Sequence, residues 1–122
     1  MDVAQIVDAY YDAWINKKGD MSDVPLAADL AYKGPLASFT DGAGFRQMAK
    51  EAGAAVTAFT VRRQFTEGNT VCSIVDWEMS ILPGQVLTSA ELLEVSEGSI
   101  VRGELIYDAE PLRTAMANAA NG

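Results

Sequence analysis

The chain has 122 residues, 49% of them hydrophobic, and carries 17 acidic against 9 basic side chains for a net charge of −8. That is enough apolar material for one domain with a core, and too little basic surface to bind nucleic acid or a membrane surface by charge neutralisation. Histidine is absent and Cys72 is the single cysteine, which excludes Ser-His-Asp and Cys-His nucleophilic machinery, an internal disulfide and zinc sites of the usual kind.

No apolar run reaches the roughly 18 residues needed to span a bilayer. The chain opens Met1-Asp2 without the basic region of a secretory leader, so a cytoplasmic location is expected. No glycine-rich loop joins a strand to a helix, and no loop has calcium-binding spacing. Neither a metal nor a cofactor is expected, and any acid-base chemistry must come from Asp, Glu, Tyr, Lys or Cys.

Asp2 is a plausible N-cap for a first helix whose apolar stripe is Val3, Ile6, Val7, Tyr10, Ala13 and Trp14, ending near Lys17-Lys18-Gly19. Tyr10 lies in the stripe, with Tyr11 rotated about 100° from it. Asp20 to Ala27 reads as a short helix with Pro25 near its start, and Leu30 to Lys33 as a short strand before the Gly34-Pro35 break. Thr40 or Asp41 caps a helix through about Glu51, with Phe45, Met48 and Ala52 on one side and Gly53 at its end.

From Val56 to Asp108 four strands are punctuated by Glu67-Gly68-Asn69, Leu82-Pro83-Gly84 and Glu97-Gly98-Ser99. Alternation between Val71 and Ile81 places Val71, Val75, Trp77, Met79 and Ile81 on one face, and Cys72, Ile74, Asp76 and Glu78 on the other. By itself that pattern leaves Asp76 and Glu78 in water. Glu91 shares its face with Leu87, Leu93 and Val95, so it is the carboxylate expected among apolar side chains, paired across the sheet with Arg62 or Arg63 if it serves only structure. On the last strand Val101, Gly103, Leu105 and Tyr107 form one face, and Ala109 to Asn118 is a terminal helix or a frayed tail.

This order of elements resembles the nuclear transport factor 2-like fold. The segments 32–36 (YKGPL), 40–45 (TDGAGF), 74–77 (IVDW), 89–95 (SAELLEV) and 98–109 (GSIVRGELIYDA) resemble its SnoaL-like and ketosteroid isomerase-like members. The resemblance implies an α+β domain over residues 1–122, with a cone-shaped curved antiparallel or mixed sheet wrapped around three N-terminal helices and enclosing a pocket. It makes Tyr10, or Tyr11 one residue on, similar to the oxyanion-binding tyrosine of ketosteroid isomerase, and Glu91 similar to that enzyme's protonated sheet carboxyl. Gly34 stands where that enzyme has its pre-proline aspartate base, which argues against steroid isomerisation. Asp76 looks like the strand aspartate of limonene epoxide hydrolase-like proteins, but Ile74 and Leu105 replace the other residues that this mechanism needs.

The resulting expectation is a cofactor-free isomerase, cyclase or lyase acting on a small apolar carbonyl compound. Asp76 would be the base, with Glu78 able to replace it, and Glu91 with Tyr10 would donate to an enolate oxygen. Trp14, Phe39, Phe45, Leu105 and Tyr107 would form apolar walls around the substrate. A non-catalytic small-molecule binder and an interaction module with a vestigial pocket are the alternatives. A homodimer is expected, through the sheet face bearing Trp77 and Met79.

Overall fold

The structure, a computed structural model, describes residues 1–121. Helix α1 (Val3–Asn16) begins in a reciprocal cap: Asp2 accepts from the Gln5 amide, and the Gln5 side chain accepts from the Asp2 amide. This arrangement satisfies two donors that the first helical turn leaves unpaired. Ile6, Val7, Tyr10, Tyr11 and Ala13 are its buried residues.

The segment after α1 is not the short helix expected over Asp20 to Ala27. It turns at Met21–Val24, and strand β1 (Leu26–Lys33) begins four residues earlier than its apolar signal suggests. Arg46 holds the turn by donating to the carbonyls of Met21 and Val24, beside a local bond from the Val24 N–H to the Met21 carbonyl, so a distant side chain takes the place of helical repeats.

A two-residue strand β2 (Ser38–Phe39) leads to α2 (Gly42–Ala55), capped by Asp41. Gly53 is a buried residue inside this helix rather than its end. Four long strands follow, β3 (Val56–Glu67), β4 (Thr70–Met79), β5 (Leu87–Ser96) and β6 (Ser99–Ile106), and then α3 (Glu110–Asn121). The third helix therefore sits at the C-terminal end of the chain, not among the N-terminal elements.

The six strands form one sheet in the order β2-β1-β6-β5-β4-β3, with β1 parallel to β6 and the other neighbours antiparallel. The β5–β6 hairpin pairs Ser96 with Ser99, and both central residues, Glu97 and Gly98, have positive φ, as a tight type I′ turn requires.

Bulges bend the sheet. The β3–β4 register slips between Val56 and Ala58 and again between Val61 and Arg63, and the β5–β6 register slips beside Glu94. An extra residue on one strand sharpens the local twist and lets a sheet curve around what it covers. The slip also changes which residues face inward. Val95 pairs with Ile100 and Glu94 with Arg102, so Val101 is the extra residue and Ile100, 1% exposed, takes the core position that straight alternation assigns to Val101.

The inward face of the sheet and the apolar sides of α1 and α2 form one core around Tyr10, Phe45, Leu30, Leu93 and Val75. A second cluster of Leu82, Leu87 and Leu112 joins α3 to the sheet, with Trp77 and Tyr107 packed against it. Among the described residues no helix is long and apolar enough to cross a membrane.

Candidate functional site

Between the sheet and the helices lies a cavity of about 450 Å³. Its walls come from every layer: Trp14 of α1, Phe39 of β2, Met48 of α2, Phe59 of β3, Trp77 of β4 and Leu105 of β6. Leu112 and Met116 of α3 line it together with Tyr107. A volume of a few hundred cubic ångströms with mostly apolar walls suits a small organic molecule.

The wall includes one carboxyl group, that of Glu91. It projects from the inward face of β5, opposite Ser73 of β4 and Leu105 of β6, and is 3% exposed. Three phenols converge on it. Tyr10 donates to Oε2 at 2.8 Å, Tyr11 donates to Oε1 at 2.8 Å, and Tyr32 also donates to Oε2. Neighbouring positions on a helix are about 100° apart, yet Tyr10 and Tyr11 both reach the carboxylate, with their rings edge to face at 5.1 Å. Tyr32 arrives from β1, where its ring lies over Gly103 of β6 and 4.6 Å from that of Phe45.

Burial pushes the Glu91 carboxyl above the usual carboxylate range, and the hydroxyls of Tyr32, Tyr10 and Tyr11 pull it down without cancelling that effect. All three phenols are held far from ionisation, first by their own burial and then by the negative charge of Glu91. A carboxyl whose folded pKa is raised contributes most stability below its ordinary value of about 4.5 and loses that contribution as pH rises through the folded value. Glu91→Gln removes this titration. In urea unfolding at a series of pH values, the stability of Glu91→Gln relative to wild type should therefore improve as pH rises from below 4.5 to above neutrality.

Asp76 is elsewhere. It lies on the other face of β4, half-buried at the surface, where Arg62 binds it with two hydrogen bonds at 3.0 and 3.2 Å and the Thr88 hydroxyl donates at 2.6 Å. Thr88, then Arg62, hold its carboxyl below the usual range. Arg62 is the extra residue of the second β3 bulge, and it pairs with Asp76, not with Glu91. Glu78 shares the outer face. The two carboxylates expected to share a pocket are therefore separated by the sheet. Asp76→Asn is expected to leave ligand affinity unchanged, as measured by calorimetric titration.

Trp77 and Met79, expected on a dimer face, line the cavity. The Trp77 indole N–H donates to Ser89 Oγ at 2.7 Å, and its ring meets Tyr107 edge to face. Phe45 is fully buried behind the cavity, packed between Tyr10, Tyr32 and Phe39, and does not form its wall. Trp14, Phe39, Leu105 and Tyr107 do line it, as does Gly34, at the position that lacks a base. Tyr32 was not among the candidates, although it follows the core residue Leu30 by two positions on β1 and shares its face. Leu112 and Met116 were hidden because they are the only large apolar residues in the tail after Asp108.

No curated protein matches the chain. Among solved structures, a protein from Kribbella flavida superposes with a TM-score of 0.81 at 22% identity, covering 97% of this chain and 96% of the other. A steroid delta-isomerase from Pseudomonas aeruginosa gives 0.76 at 15% identity, with 95% and 86% covered. An epoxide hydrolase of the LEH-like type from M. tuberculosis gives 0.71 at 18%, with 95% and 90% covered. At these identities the likeness concerns the fold. The SnoaL-like domain model matches residues 7–103, from within α1 to the Tyr32-bearing β1–β6 pair and the Glu91 strand, and the chain belongs to the SnoaL-like family.

Proposed function

We propose that this protein binds a small, largely apolar molecule in the cavity, with the ligand's one polar group at Glu91 and Tyr32. The observation that supports this reading is the contrast within the wall: a cavity of about 450 Å³ has apolar and aromatic surfaces on all sides and a single carboxyl. Such a site obtains affinity from apolar burial and orientation from one polar contact. The paired-carboxyl mechanism loses its base, because Asp76 is bound to Arg62 on the outer face.

Catalysis is the second reading, favoured by the raised pKa of Glu91. A single carboxylate can remove a proton from one carbon of a bound substrate and return it to another, which is an isomerisation that needs no second acid. Two of the similar structures are named as a steroid delta-isomerase and an epoxide hydrolase.

The chain's two tryptophans, Trp14 and Trp77, both line the cavity, so intrinsic fluorescence reports its occupancy. A panel of small apolar compounds titrated into the protein should include members that change this fluorescence saturably. Isomerisation of a bound unsaturated compound, lost in Glu91→Gln, would favour catalysis; saturable binding without turnover favours the binder.

A homodimer fits the outer face of the sheet better than the face bearing Trp77 and Met79. Ile74, Ala90 and Ile106 stand side by side there across three strands, bordered by the Arg62–Asp76 and Arg102–Glu94 pairs. Ile74→Lys should then convert a dimer to monomer in sedimentation, whereas a wild-type monomer would refute the assembly.

A further inference from the structure

We propose that the polar group received by this cavity is a protonated amine, so that the ligand is a small hydrophobic ammonium ion. This rests on the reading of the cavity as a binding site and assigns the chemical class of its occupant.

The first ground is charge. The groups facing Glu91 are Tyr10 and Tyr11 from α1, Tyr32 from β1, Ser73 from β4 and Leu105 from β6, and none is basic. The arginines near the core are engaged elsewhere: Arg46 on the carbonyls of Met21 and Val24, Arg62 on Asp76, and Arg113 on the Pro35 carbonyl at the cavity rim, toward Tyr107. A carboxylate in a dry site is costly unless a cation meets it. A bound ammonium would supply that cation.

The second ground is the donor and acceptor inventory. A carboxylate has about four acceptor positions. The phenols of Tyr10 and Tyr32 fill two on Oε2 and that of Tyr11 one on Oε1, which leaves one position on Oε1. A tertiary ammonium has one N–H to place there. A ketone or ester would need a donor instead; beside the carboxyl the three hydroxyl protons are given to Glu91 and the Trp77 N–H is given to Ser89, which leaves the Trp14 N–H and the Tyr107 hydroxyl as the donors of the lining. At Glu91 the site offers an acceptor with no basic side chain beside it, the complement of an ammonium group.

The third ground is the wall. Trp14, Tyr32, Phe39, Phe59, Trp77 and Tyr107 present aromatic rings to one cavity. Ring faces attract a cation and also accept its alkyl substituents, and the attraction grows when water is excluded. The rest of the lining, including Met48, Leu105 and Leu112, is apolar and suits a hydrocarbon body.

The test compares N,N-dimethylcyclohexylamine with cyclohexyl methyl ketone, a neutral acceptor of the same size, by calorimetric titration at neutral pH. Wild type should bind the amine at least tenfold more tightly than the ketone. Glu91→Gln should lose at least tenfold toward the amine and little toward the ketone. Phe59→Leu, which keeps apolar volume but removes a ring, should weaken the amine selectively even if Glu91→Gln folds poorly. Equal or tighter binding of the ketone, or amine binding unchanged in Glu91→Gln and Phe59→Leu, would overturn the ammonium assignment while leaving an apolar binding site in place. If neither compound nor any neutral member of the apolar panel binds, the binding-site reading itself fails, and the assignment with it.

Discussion

Glu91→Ala is expected to destabilise the protein by about 3–5 kcal/mol, because it strips three buried phenols of their shared acceptor. Three phenolic donors from α1 and β1 end on this one side chain. Removing it leaves three buried hydroxyls to find other acceptors, and each that fails costs about 1–3 kcal/mol. The adjoining cavity can admit water to some of them, which keeps the total below the sum of its parts. Glu91→Gln should cost much less, because the amide oxygen still accepts and the amide nitrogen can donate to a phenolic oxygen. Urea unfolding of the two variants beside wild type checks this. Equal losses would mean that the phenols do not depend on an acceptor at this position.

Gly103→Ala is expected to cost about 2–3 kcal/mol, because overpacking a core contact forces a side chain out of place. A methyl group at this position would come within 2.6 Å of Tyr32 Cε2, closer still to Cδ2, and 3.4 Å from Leu93 Cδ2. Tyr32 and Gly103 are register partners on the parallel β1–β6 pair, so the ring has the neighbouring strand as its floor. Lifting it would draw the hydroxyl away from Glu91. If the substitution acts by this route, Tyr32→Phe and Gly103→Ala should be non-additive, since each removes the same hydrogen bond. A double-mutant cycle in urea measures that coupling, and simple additivity would show that the glycine matters for packing alone.

The order of the two long helices and the four long strands was legible from turn signals and alternation, and so was the inward position of Glu91. Its period-two companions Leu87, Leu93 and Val95 are all buried on the same face. The Asp20 to Ala27 segment was misread because its fold depends on Arg46, 19 residues beyond the segment's end, donating to carbonyls within it. Val101 was placed on the wrong face because a bulge shifts the alternation, and bulges leave little trace in a single sequence.

Asp76 shows a different limit. Plain alternation placed it outside, whereas the resemblance to epoxide hydrolase-like proteins drew it inward. The structure follows the alternation, with Arg62 supplied by a bulge on the neighbouring strand. Tyr10 and Tyr11 looked like alternatives because a helix separates adjacent side chains. Both reach Glu91 because the carboxylate has an oxygen for each.

The most direct measurement is a titration of tryptophan fluorescence with small apolar compounds, for wild type and for Ala52→Phe. Ala52 lines the cavity from α2, so a phenyl ring at that position would occupy the space the ligand needs. A ligand-binding cavity predicts a saturable change at Trp14 and Trp77 in wild type that is lost in Ala52→Phe. No saturable change in wild type, or an equal change in both proteins, would contradict it.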